Sequence, residues 1–227
     1  SRASWLEGMF YYAALDDKTY SHLAESFEYN DDATELTVNL RKGIEWSDGT
    51  PFTAEDIAFT YNTLVERAPD YRDSARMATQ LEKAEAVDDH TLKFFLVKPN
   101  YRFHFTEWTF RMDRGIYIVP KHIFQDVEDW REFTFWDMNK GWPVVTGAYR
   151  PSESVNTHLH VDRLPEWWAV KTGFFDKMPE VERVLHLPFT DDTKAAQFAI
   201  QGQVDFTLDV RPRTIATIME QNPQIIS

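Results

Sequence analysis

A mixed α/β architecture is predicted for this 227-residue chain, and three patterns predict it. Strand-like alternation at Leu36, Val38 and Leu40 gives way to a helical pattern at Ile57, Tyr61 and Leu64. A second alternating stretch fills residues 81–97. Helical texture returns late, ending near Gly202 and again over about Arg213 to Glu220. Strands and helices interleave throughout, which defines the class as α/β or α+β.

Each element has a local reason. Residues 4–13 read as a short helix or strand, and Leu15-Asp16-Asp17-Lys18 as a loop. Asn30-Asp31-Asp32 and Lys42-Gly43 punctuate a first hairpin. Asp48-Gly49 supplies a turn in which glycine takes positive φ at no steric cost. Thr53 stands three residues before Asp56, a capping-box spacing ahead of the apolar helical face. That helix ends before Ala68-Pro69-Asp70, since proline cannot continue it. In the second hairpin Leu92, Phe94 and Leu96 alternate with their neighbours, and Asp88-Asp89-His90 turns the chain. Ile116 to Pro120 is a short apolar run leading into a helix near His122. From Trp142 to Pro188 strands are broken by Pro and Gly. Thr190 to Thr193 caps the helix that ends at Gly202, and Val204 to Leu208 reads as a strand.

Composition excludes several function classes. With 24 basic and 37 acidic residues the formal charge is −13, a field that repels nucleic acid and anionic lipid. No apolar run approaches the ~18 residues of a membrane span. Cysteine is absent, which removes disulfides, thiol nucleophiles and Cys-ligated metal centres. Eight Trp, nine Tyr and seventeen Phe make aromatics the outlier, and large rings serve either core packing or stacking on a ligand. No phosphate loop, G-x-G-x-x-G or G-x-S-x-G is present, so neither a nucleotide cofactor nor an esterase-type nucleophile is expected.

The segment Leu40 to Asp56 carries more information than any other. It joins a strand, the Trp46-Ser47-Asp48-Gly49 turn and a capped helix start, and it closely resembles the signature of the family 5 extracellular solute-binding proteins. Further landmarks occur in order. Leu6-Glu7-Gly8-Met9 resembles the family's early turn, and Leu23 to Glu28 its "LAES-aromatic-E" segment. Ala86 to Leu92 resembles "V-x-D-D-x-T-h", and Val119-Pro120-Lys121-His122 the "hhPKHhh" element. Thr146-Gly147-Ala148-Tyr149 is similar to "GTGPY" with alanine in place of proline. Leu164 to Trp168 is similar to "NPxYW" with leucine and tryptophan substituted, and Gly202 to Phe206 to "GEIDh".

The resemblance implies a periplasmic-binding-protein type II fold, present in part as one lobe with an inserted α+β subdomain. Residues 1–29 and 141–227 would form lobe I and 30–140 the inserted subdomain, with the second lobe lying beyond this chain. It implies the substrate-binding component of an ABC importer, capturing a peptide or oligosaccharide and passing it to a membrane permease without bond chemistry. Such a protein would be a monomer, periplasmic or extracellular, with a lipid anchor among the options when complete. Glu7, Gly8 and Met9 match a turn that lies at the cleft floor in peptide-binding relatives, and Tyr71 follows the first helix as a side chain reaching the cleft. These four are the expected ligand-binding residues, with no catalytic residue, metal or cofactor.

The residues also offer two other chemistries, a metal site and a hydrolytic carboxylate pair. His158 and His160 share a face if their segment is a strand, and Asp162 continues that face, but no matching ligand pair stands elsewhere. A carbohydrate-active hydrolase with an acidic, aromatic-lined cleft is the alternative function, requiring two carboxyls a few ångströms apart.

Overall fold

In a computed structural model, residues 5–13, 15–110, 115–189, 191–206 and 210–224 are described. Two compact units result: residues 1–154 with 160–184, and residues 155–159 with 185–227.

The first unit is organised around a four-stranded antiparallel sheet in the order β3-β4-β6-β5. Its strands are β3 (Ala24–Tyr29), β4 (Glu35–Leu40), β5 (Leu81–Asp88) and β6 (Thr91–Leu96). The β4 register sets Leu36 opposite Phe94 and Val38 opposite Leu92. Leu36, Val38, Leu40, Leu92, Phe94 and Leu96 all point into the core, as the period-2 pattern requires. Helix α1 (Ala54–Glu66) buries Ile57, Tyr61 and Leu64. The Tyr61 ring meets Phe94 edge-on at 5.0 Å.

Both ends of α1 follow the local chemistry. The Thr53 backbone N–H donates to Asp56 Oδ2 at 2.9 Å in a capping-box arrangement. Gly49 takes φ +86° in the preceding turn. The hairpin turn at Asp88-Asp89-His90 is held by the His90 N–H on Asp88 Oδ1 (2.8 Å). The His90 and Asp89 carbonyls then accept from Leu40 N and Ala54 N.

A smaller sheet in the order β2-β1-β7 lies at the start of the unit. It comprises β1 (Phe10–Ala13), β2 (Lys18–Ser21) and β7 (Thr109–Phe110), with β1 antiparallel to β2 and parallel to β7. Thus the 4–13 region is a strand from residue 10, and the loop expected through Lys18 ends one residue earlier. Short helices α2 (Ser74–Ala78), α3 (Phe103–Trp108) and α4 (Lys121–Phe124) connect the sheets.

A third sheet, in the order β10-β9-β8, contains β8 (Tyr149–Val155), β9 (His158–Arg163) and β10 (Arg183–His186), with α5 (Trp168–Lys171) between β9 and β10. The second unit contains α6 (Asp192–Ile200) and α7 (Pro212–Gln221). These pack through Ala196, Ala199 and Ile218. The α6 N-cap is Asp191, accepting from Lys194 N at 2.9 Å; Thr190 lies outside the described residues. Gly202, at φ +67°, ends the helix region as expected. Val204–Phe206 is not strand, and the rest of that expected strand lies outside the described residues.

The boundary expected at residue 29 falls within the four-stranded sheet. Strand β3, inside 1–29, is hydrogen-bonded to β4 from the expected insert. Residues 185–227 belong to the second unit. Within the first unit Gly147 lies close to Trp5: a Cβ placed on Gly147 would lie 3.0 Å from the Trp5 carbonyl oxygen.

Two predictions follow from local geometry. A Cβ at Gly49 meets nothing within 4 Å, so strain at positive φ alone penalises a side chain there; Gly49→Val should lower stability by about 1 kcal/mol or more in urea denaturation. His104 stacks on Phe27 at 4.0 Å and pairs through Nδ1 with the Tyr29 hydroxyl at 3.0 Å. Burial, aided by the charge of Arg102, lowers its pKa from 6.5 to about 4. The unfolded chain therefore binds this proton more readily, so the stability contribution is complete above about 6.5 and is lost as pH falls towards 4. His104→Phe should flatten the stability–pH curve across that window, measured by thermal melts against the parent.

Candidate functional site

The Glu7-Gly8-Met9 turn enters β1 and is pinned by backbone: the Met9 carbonyl accepts from His22 N (3.0 Å) and Ala24 N (3.2 Å). The Glu7 side chain is only 5% exposed. Its Oε1 accepts from His22 Nε2 at 2.8 Å and its Oε2 from Trp168 Nε1 at 2.9 Å. A carboxylate is an acceptor only, and a buried one is stable when such donors replace its water. Nearby, burial and the Glu7 charge raise the pKa of Tyr11.

Glu7, Gly8 and Met9 border a cavity of about 10 Å³ together with Glu107, Trp108 and Ile116. Such a space holds no more than a water. Tyr71 lies elsewhere in the unit, lining an open groove of about 250 Å³. The four expected residues thus fall into two places, with Ile116 bordering both.

The Tyr71 groove is built where α1, the loop before α2 and residues 116–131 meet. Tyr71 is 9% exposed, stacked on Trp130 with centroids 5.4 Å apart. Its hydroxyl accepts from Trp130 N at 3.1 Å. Arg131 is held bidentately by Asp129, whose carboxyl that pairing keeps low, at about 2. Thr60 donates to the Asp56 carbonyl (2.8 Å) and accepts from Val119 N (3.1 Å). Arg72, 62% exposed, reaches Asp73 through Nε at 3.2 Å and lies 5.9 Å from the Tyr117 ring centroid.

The sequence landmarks mostly form joints. Asp56 Oδ1 accepts from Lys121 N at 2.8 Å, and His122 Nε2 pairs with Asp48 Oδ2 at 2.8 Å. Ser47 N donates to the Val145 carbonyl (2.7 Å), and Val145 N to Ser47 Oγ (3.1 Å). Trp167 Nε1 donates to the Thr146 carbonyl at 2.9 Å. A second groove of about 260 Å³ lies among these joints, where Lys171 bridges Glu45 (2.9 Å) and Glu166 (3.0 Å).

The histidine pair does lie on a strand, β9. Asp162, however, is engaged by Arg183 at 2.5 and 2.8 Å, and the residue joining His160 is Glu153, at 2.9 Å. Sequence reasoning did not find His22 and Trp168 as the partners of Glu7, nor Trp130 and Arg72 beside Tyr71. The doubled tryptophan of the Leu164–Trp168 landmark was the available signal for the first pair. Adjacency to Tyr71 was the signal for Arg72.

The family profile described as bacterial extracellular solute-binding proteins, family 5 Middle, matches residues 18–226, and the chain belongs to that family. It is 26% identical over 194 residues to the probable peptide-binding protein YejA of Agrobacterium fabrum, covering 83% of this chain and 30% of the relative. It is 26% identical over 220 residues to the periplasmic oligopeptide-binding protein OppA of Escherichia coli, covering 87% and 36%. The crystal structure of a mannohexaose-bound periplasmic oligopeptide-binding protein from Thermotoga maritima matches with a TM-score of 0.69 and 27% identity, covering 96% and 38%. The chain therefore represents part of a type II periplasmic-binding-protein fold and spans between 30% and 38% of these proteins. No helix among the described residues is long and apolar enough to cross a membrane.

The Glu7 pairing generates a test. Glu7→Ala removes both acceptors, stranding a buried indole N–H and a buried imidazole, and should cost about 3 kcal/mol. Glu7→Gln keeps one acceptor oxygen and should cost less. Urea denaturation of the two variants against the parent checks the order.

Proposed function

We propose that this chain is part of the substrate-binding component of an ABC importer, which captures a peptide or oligosaccharide and delivers it to a membrane permease. Family membership together with the aromatic groove at Tyr71 supports this reading. The relatives named above are peptide binders by name, and the Thermotoga protein holds a hexasaccharide. The protein works as a monomer on the periplasmic or extracellular side, without catalysis, and its ligand acts by favouring the state it binds best.

Within the proposed lobe arrangement, the segment 5–21 and the segment 141–184 belong together through the Glu7–Trp168 bond. The four-stranded sheet and α1 form the subdomain carried with them. Glu7, Gly8 and Met9 then form the cleft floor by their backbone. The Glu7 carboxylate, already satisfied by His22 and Trp168, sets the shape of that floor. Tyr71 supplies an aromatic wall.

Calorimetry on the protein as its gene encodes it, titrated with short peptides and with mannohexaose, tests this. Saturable one-to-one binding is expected, with no turnover of chromogenic glycosides or peptides. Turnover without stable binding would transfer the assignment to the hydrolase class.

A further inference from the structure

We infer that Arg72 reads a carboxylate in the Tyr71 groove, so that the ligand is a peptide with a free C-terminal carboxylate and an apolar last side chain. This rests on the proposed binding function and narrows its ligand class.

The inference comes from which polar groups the groove has left. Thr60 has both given its proton and accepted one within the fold. The Tyr71 hydroxyl is taken by Trp130 N. Arg131 is occupied by Asp129 on two sides. Asp73 receives Arg72 Nε on one oxygen and Arg76 Nη2 on the other. Among the described residues, Arg72 is the cation of the groove that keeps both terminal nitrogens, Nη1 and Nη2, without such a partner, whereas Asp129 takes Nε and Nη2 of Arg131 and leaves it Nη1. The Arg72 side chain is 62% exposed. The nearby Tyr117 ring orients the guanidinium by its face.

The remaining wall is apolar: Leu64, Ile116, Val119 and the Tyr71–Trp130 stack. One two-pronged cation beside such a wall suits a ligand with a carboxylate next to an apolar body. A neutral oligosaccharide needs several free hydrogen-bonding side chains around a ring, and this groove has spent its own on the fold. Arg72 therefore selects peptide acids over both peptide amides and neutral sugars.

The test uses the protein as its gene encodes it. Tripeptide libraries ending in leucine or phenylalanine are offered as free acids and as C-terminal amides, alongside mannohexaose. Binding is read by calorimetry and by mass spectrometry of captured ligand. The parent should bind acids at least about tenfold more tightly than amides, the worth of a hydrogen bond to an ionised group. Arg72→Ala should bring acids down to the amide level with the melting temperature unchanged, because the side chain is largely in solvent. Arg72→Lys should recover part of the preference, since charge remains but the fork is lost. Equal binding of acid and amide by the parent, or a preference that survives in Arg72→Ala, overturns the inference and leaves the binding function standing. Capture of mannohexaose with no peptide does the same. Capture of neither class overturns the binding function, and the inference with it.

Discussion

The buried Glu7 carboxylate is the constraint on which the geometry around the candidate site depends. It joins three places in the chain, with His22 on one oxygen and Trp168 on the other. Removing a carboxylate from water is costly, and matched donors offset that cost only when all of them are in place. The early turn, the entry to β3 and the α5 region therefore have one mutually consistent arrangement. Asp56 repeats the logic elsewhere in the unit: burial raises its pKa, while Thr53 N and Lys121 N supply donors to its two oxygens. Two internal carboxylates thus fasten loops to a sheet-and-helix core made of alternating apolar side chains.

A division of labour follows. The motifs that identify the family mostly hold the fold together: the Trp46–Gly49 turn, Pro120-Lys121-His122 and Thr146–Tyr149 bond to one another or to α1. Of the ligand contacts proposed above, Glu7, Gly8 and Met9 lie in a family string, while Tyr71, Arg72 and Trp130 line the groove from loops outside those strings. Loops positioned by a rigid scaffold are where binding specificity is ordinarily carried. A chain can therefore be assigned to its family by joints that hold the fold, whatever ligand it takes.

Much of the fold was legible in the sequence because its signals are local. The alternation in β4 and β6, the Thr53–Asp56 cap, the glycine at Gly49 and the stop before Pro69 each operate within a few residues. Other elements lack such a signal. All four residues of β2 are exposed, so it has no alternation to read. Helices α2, α3 and α5 have five, six and four residues, too short to show a helical period. The site was legible only in part. Glu7, Gly8, Met9 and Tyr71 were picked out as residues, but the partners of Glu7 lie far away in sequence, and no local pattern encodes which indole a carboxylate will meet. Nor does a string show that Thr60 is spent on internal bonds and Arg131 partly so, while both terminal nitrogens of Arg72 are left.

The bond between Glu7 and Trp168 spans 161 positions, which bears on the order in which the molecule comes together. Hairpins such as β5–β6 close over short loops, whereas contacts between distant positions form late and slow the search. During synthesis the N-terminal turn emerges long before its indole partner exists. Until then its carboxylate stays hydrated, and the turn has no reason to leave water. The sheet and α1 can assemble first from neighbouring segments, with the early turn locking onto them once residue 168 arrives. Closure of this unit is thereby tied to completion of most of its length, and a prematurely shortened chain would keep an open, hydrated edge where the finished protein buries the Glu7 carboxylate.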